Sequence, residues 1–167
     1  MDEYTMIEQA KNGEREAFCQ LYDLYRDRLY RYAWYRLKNE SDAEDAVSEC
    51  VLSAWKQIGD LRDAKAFPAW IFRILAAACN RIIRQQIRRR EQPSPDDAQS
   101  ESAAETRLIL AEALELLDQE DRNMVLLSVV AGLSSQEIGD LTGLAPGSVR
   151  SRISRNMKKM RTFLERE

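Results

Sequence analysis

At 167 residues and 44% hydrophobic, the chain is apolar enough for one packed domain or two small ones, and too apolar to be disordered. Its formal net charge of −3 gives no bulk attraction to nucleic acid. The absence of histidine removes the commonest general base and the Ser-His-Asp and Cys-His constellations, so composition weighs against an enzyme.

Neither a GxxxxGK[ST] loop nor a GxGxxG turn is present, so no nucleotide cofactor or small-molecule substrate is implied. Cys19, Cys50 and Cys79 are odd in number and widely spaced, without a CxxC pair. That spacing argues against a disulfide framework and the common zinc sites, and predicts three small buried apolar residues.

The opening stretch, "MDEYTMIEQAKNGEREAF", is acidic and lacks the basic-then-apolar plan of a secretory signal. No apolar run approaches the roughly 20 residues that span a bilayer, so a cytoplasmic protein without direct membrane insertion is expected. Residues 14–38 place Phe18, Leu21, Tyr22, Tyr25, Leu29 and Tyr32 three or four apart, the period of a buried helix stripe.

Next, "SDAE" offers Ser41 as N-cap and Glu44 as its capping-box partner. The stripe Val47, Val51, Ala54, Trp55 and Ile58 continues that helix until Gly59. On its other side project Asp42, Asp45, Glu49 and Lys56, with Leu52 among them, an apolar residue inside a charged face, the pattern of an interface anchor with a polar rim.

"GDLRDAKAF" reads as a loop, and Pro68 suits the first turn of a third helix, about Phe67 to Arg90. The stripe Phe67, Ile71, Ile74, Leu75, Ala78 and Ile82 is its predicted core side. Arg73, Ala77, Asn80, Arg81, Arg84 and Arg88 share another face, and the span 61–91 holds eight Lys or Arg against two acids. That face suits a phosphate track, with the loop Leu61 to Lys65 as its rim.

Residues 91–105, "EQPSPDDAQSESAAE", hold two prolines, five acids and no base. They predict a flexible linker between two domains, 1–90 and 106–167. Beyond it, helices are expected over Leu108 to Leu117 and Asp121 to Ala131, with Gly132 as the residue past the second.

"SSQEIGDLTGLAPGSVRSRI" has the grammar of a helix-turn-helix: Ser134 and Glu137 in capping-box spacing, Ile138 and Leu141 inward, Gly143 for a left-handed turn, and Pro146 starting the next helix. On that last helix Val149, Ile153, Met157, Met160 and Leu164 form one stripe. Opposite lie Ser151, Ser154, Arg155 and Lys158, flanked by Arg150 and Arg152, and the span 147–167 carries seven bases against two acids. An apolar back with an Arg/Ser front is what a helix needs to enter a major groove.

"DAEDAVSECVLSAW", "FPAWIFRILAAACNRIIRQQIRRR" and "LSSQEIGDLTGLAPGSVRSRISR", in that order, resemble an extracytoplasmic-function (ECF) sigma factor of bacterial RNA polymerase. The resemblance implies an all-α chain of two small helical domains, the second a helix-turn-helix. It implies an initiation subunit, not an enzyme, that binds core RNA polymerase and promoter DNA and is restrained by an anti-sigma factor.

Asp42, Glu44, Asp45, Ser48, Glu49 and Leu52 would then bind polymerase. Leu61, Arg62, Asp63, Ala64 and Lys65, with Arg73, Ala77, Asn80, Arg81, Arg84 and Arg88, would serve the minus-ten element. Ser148, Arg150, Ser151, Arg152, Ser154, Arg155 and Lys158 would serve the minus-thirty-five element. The chain departs from the family pattern at Ser48, usually Gln, at Ala77, often Asn, and at Arg81, commonly Asp; Asn80 offers an amide on the same face. The competing reading is a stand-alone dimeric helix-turn-helix regulator, which would have no need of the acidic 42–49 face.

Overall fold

The structure, a computed structural model, describes residues 2–89 and 101–166, with side chains described from residue 105 onward in the second stretch. Eight α-helices and two single 3-10 turns make up the described chain, with no strand among them. The first half holds α1 (Glu3–Lys11), α2 (Arg15–Leu37), α3 (Glu40–Gln57) and α4 (Phe67–Arg89), with the 3-10 turns Ile58–Asp60 and Ala64–Ala66 between the last two. The second holds α5 (Glu101–Glu115), α6 (Gln119–Val129), α7 (Ser135–Thr142) and α8 (Pro146–Arg166).

α1 was not foreseen by periodicity, because nine residues give too few repeats of a 3.6 period. Its cap is legible in hindsight: the Thr5 amide donates to the Asp2 carboxylate at 2.7 Å. Met6, Ile7 and Ala10 are buried on its inner side.

α3 does not start at the expected capping box. Lys38 leaves α2 in the left-handed region at φ 54°, and Asn39 then runs extended and takes the cap position, accepting from the Asp42 amide at 2.9 Å. Asn is as good an N-cap as Ser, so the earlier start costs nothing and leaves Ser41 outside the cap.

α4 is the centre of the first core. Phe67, Ile71, Phe72, Leu75, Ala78, Cys79 and Ile82 are buried on it. Tyr25 and Tyr32 of α2 meet Phe67 and Phe72 edge-on, with ring centroids 5.1 and 5.7 Å apart, the geometry the ring quadrupoles favour. An 18-residue window within Ala64–Arg89 reaches mean hydropathy 1.3, enough by length and composition to cross a membrane, contrary to expectation. Its apolar residues pack into this core, which is why they are there.

Cys50 and Cys79 are buried, and burial pushes both thiols up to about 12. Cys19 is exposed, unlike the buried site expected for it. It sits on the outer side of α2, between the inward Phe18 and Leu21.

In the second half α5 begins at Glu101, ahead of the first apolar repeat at Leu108, within the expected linker. Alanines and glutamates there favour helix without any apolar period to announce it. The remainder of the predicted linker, together with Arg90, lies outside the described residues. α6 ends at Val129, and Gly132 follows at φ 73°.

The buried apolar residues of both halves form one continuous cluster. α2 meets the second half along a polar seam. The Tyr32 hydroxyl donates to the Asn123 side chain, Arg28 donates to the Ala131 carbonyl at 3.4 Å, and Lys38 pairs with Glu115. The guanidinium of Arg107 lies 5.1 Å from the centre of the Trp34 ring. Burial, then the neighbouring Arg122, pulls the Lys38 ammonium down to about 8, against the carboxylate that faces it.

Candidate nucleic-acid interface

Three surfaces carry the residues singled out from the sequence. The first is the helix-turn-helix of α7 and α8. Its capping box is complete: Ser134 Oγ accepts from the Glu137 amide at 3.1 Å, and Glu137 Oε1 accepts from the Ser134 amide at 2.9 Å. Gly143 ends α7 at φ 81°, a conformation that costs other residues about 1 kcal/mol or more.

The turn then folds back tightly, so that a Cβ on Gly139 would lie 2.6 Å from the Leu144 carbonyl oxygen. Nothing in the sequence pattern singled out Gly139. Its role depends on a backbone crossing that one-helix projections cannot show.

α8 turns Val149 and Met160 inward, along with Asn156, a buried polar residue that the apolar stripe did not include. Ser148, Arg150, Ser151, Ser154, Arg155 and Lys158 are all exposed along its front. Arg150, Arg155 and Lys158 form no ion pair among the described residues, so their charges remain available to an anion.

Arg152 differs. Its Nε donates to Asp121 Oδ1 at 2.9 Å, its Nη2 lies 2.7 Å from the same oxygen, and its Nη1 donates to Glu120 Oε1 at 3.1 Å.

The second surface is the loop before α4 together with the outer side of α4. Leu61 and Ala64 turn inward and are buried, at 7% and 3% exposure, so the loop presents Arg62, Asp63 and Lys65 instead. Asp63 holds the loop's shape by accepting from the Lys65 amide at 3.0 Å. Arg73, Ala77, Arg84 and Arg88 are exposed on α4, as expected.

Asn80 is exposed too, but its Oδ1 already accepts from Arg36 Nη2 at 2.8 Å. The amide is therefore oriented by the core rather than free to turn. Arg81 pairs with Glu49 of α3. A groove of about 430 Å³ lies between the two helices, with Glu49, Arg73, Ala77, Arg81 and Arg84 along it.

The third surface is the outer side of α3. Glu44, Asp45, Ser48 and Glu49 are exposed, and Leu52 is 62% exposed in their midst. Asp42 is half-buried and accepts from Gln86 Nε2 at 2.7 Å, tying α3 to α4. Sequence reasoning missed a further groove of about 410 Å³ on the seam, floored by Leu110, Val129, Met157 and Leu164, with Arg31 and Arg161 at its rim. Its walls come from four helices distant in sequence.

Two regions of the chain match known family models. Residues 21–90 match Sigma-70 region 2, and residues 107–160 match Sigma-70, region 4. The chain is 34% identical to the ECF RNA polymerase sigma factor SigL of Mycobacterium tuberculosis, covering 93% of each. It is 29% identical to the ECF RNA polymerase sigma factor BldN of Streptomyces coelicolor, over 87% of this chain but only 60% of that one. Among solved structures it is similar to CnrH in complex with the cytosolic domain of CnrY, with TM-score 0.79, 25% identity, and coverage of 99% of this chain and 98% of that one.

Proposed function

The chain belongs to the ECF sigma factors of the sigma-70 family, and on that footing we propose how its three surfaces divide the work of promoter-directed transcription initiation with core RNA polymerase. α3 binds polymerase, through Leu52 as the apolar anchor and Asp42, Glu44, Asp45, Ser48 and Glu49 as its polar rim. The loop and α4 meet the opened strand of the minus-ten element. Arg62, Asp63 and Lys65 meet it at the loop, and Arg73, Arg84 and Arg88 track phosphates beyond it. The α8 front reads the minus-thirty-five element in duplex form, with Arg150 and Arg155 on base edges or phosphates and Ser148, Ser151, Ser154 and Lys158 on the backbone.

Residues 1–90 act as one domain and 106–167 as the other, with 91–105 between them. The chain works in the cytoplasm, without an active site of its own, and an anti-sigma partner restrains it.

One observation carries this reading. Each matched family region presents its own exposed basic surface, and within the first of them α3 presents a separate acidic face with an exposed leucine among its carboxylates. Two weak DNA surfaces joined in one chain become effective once polymerase fixes their separation, because the second contact is then intramolecular. Capture of an unstacked base costs a few kcal/mol, which polymerase and strand contacts offset together. A stand-alone dimeric regulator is not favoured, since nothing in that function calls for the α3 face.

The free chain is expected to bind promoter DNA no better than a non-specific protein, with Kd about 10⁻⁶ M or weaker at physiological salt. Reconstituted with core polymerase, it is expected to bind at about 10⁻⁸ M or tighter. Fluorescence anisotropy on labelled promoter, with and without core enzyme, measures both. Tight, sequence-specific binding by the free chain would favour the regulator.

Arg155→Ala is expected to lower transcription from a promoter that depends on its upstream element by about tenfold, the cost of one good base or phosphate contact. An in vitro transcription assay with and without that element checks it. Unchanged output would mean that α8 meets DNA through another side.

A further inference from the structure

Arg152 stands in the middle of the exposed basic run, yet its side chain turns back into the protein. It follows Val149 by three residues and precedes Asn156 by four, and both of those are buried, which places Arg152 at the edge of α8's inner side. From there its guanidinium reaches the first turn of α6, where Glu120 and Asp121 sit at the helix N-terminus, a position that favours carboxylates. Three guanidinium nitrogens are engaged, two of them on one Asp121 oxygen. Asp121 is held in turn, its amide donating to the Asp118 side chain at 2.8 Å.

We infer that Arg152 is a positioning residue of the minus-thirty-five reader, a clamp that fixes the rotation of α8 about its own axis, and that it does not contact DNA. The inference rests on the assignment of α8 to the upstream element. A helix in a groove works only if its front points at the bases, and successive side chains lie 100° apart. α8 is otherwise held to α5, α6 and α7 largely by apolar contacts, which resist separation more than rotation. A forked, charge-assisted contact adds the missing angular constraint, and the planar guanidinium is suited to it where a lysine ammonium is not.

Direct DNA contact and clamping predict opposite signs at Asp121. Were Arg152 a phosphate contact, deleting the Asp121 carboxylate would free it and remove a negative charge beside the DNA. Binding would stay the same or tighten. Under clamping, deletion lets α8 rotate and binding weakens.

The test uses holoenzyme made with the full chain and a promoter selected by that holoenzyme from a random library. Binding is measured across a salt series for wild type, Arg152→Ala, Asp121→Ala, isosteric Asp121→Asn and the double Ala variant. Each single change is expected to weaken binding by about tenfold, and the double variant should be no weaker than the weaker single. The salt slope and the base preference at each position should match wild type.

Asp121→Asn holoenzyme binding as tightly as wild type overturns the inference. A salt slope reduced by about one unit in Arg152→Ala alone does so too, since that marks a lost phosphate contact. If the wild-type holoenzyme shows no dependence on an upstream element, the assignment of α8 falls and the clamp falls with it.

Discussion

Leu52→Asp is expected to release the chain from core RNA polymerase while leaving it folded. Leu52 is 62% exposed, so its own fold gains little from it, and a surface change of this kind shifts stability by no more than about 0.5 kcal/mol. Within an interface the same side chain is a central anchor. A new carboxylate there would have to be desolvated against a partner surface already matched to four acids. Loss of an anchor costs about 2 kcal/mol or more, at least about 30-fold in affinity.

Leu24 of α2, 51% exposed, provides the control, since Leu24→Asp changes charge and exposure alike but lies off α3. Retention on immobilised core enzyme, with a thermal melt of each free variant, gives the answer. Equal retention of Leu52→Asp and wild type would remove α3 as the polymerase face.

The second large effect is expected from Gly139→Ala, a change of one methyl group. The added Cβ would sit 2.6 Å from the Leu144 carbonyl oxygen, and that oxygen belongs to the backbone of the turn. No flexible side chain can give way, so α7 and α8 must part. The expected cost is about 1 to 3 kcal/mol, as for other overpacked interiors.

The damage is expected to centre on the second half, where α7 and α8 meet, although α7 also packs against α4. Transcription from promoters that need the upstream element should collapse, while retention on core enzyme through α3 persists. Limited proteolysis should show the turn between Thr142 and Pro146 newly open to cleavage. Wild-type melting and wild-type output from Gly139→Ala would show that the turn is looser than its geometry.

Much of this was readable from the sequence because helices announce themselves locally. The 3.6 period of α2 and α4 is carried by large side chains, and the caps of α7 lie within a few residues of what they cap. Leu52 was legible as an apolar residue in an acidic face for the same reason. What escaped depends on partners distant in the chain. Arg152 and Asp121, Arg81 and Glu49, and Arg36 and Asn80 meet only after the helices pack, and a projection of one helix treats each as an independent surface charge.

Leu61 and Ala64 escaped for a related reason, since alternation of inward and outward residues in a short 3-10 turn follows no long period. Asn39 displaced Ser41 as a cap because the backbone turned at Lys38, a choice made by the join between two helices rather than by either one.

The seam along α2 sets a population. Tyr32 on Asn123, Arg28 on Ala131 and Lys38 on Glu115, together with the apolar cluster that runs through both halves, hold the two halves together in the free chain. Any holoenzyme geometry that parts the halves must break these contacts first. If the seam is worth 1.4 kcal/mol, only about one molecule in ten is open, and the apparent affinity for polymerase falls by the same factor. Substitutions in the seam would then be expected to change that apparent affinity without touching the polymerase or DNA surfaces.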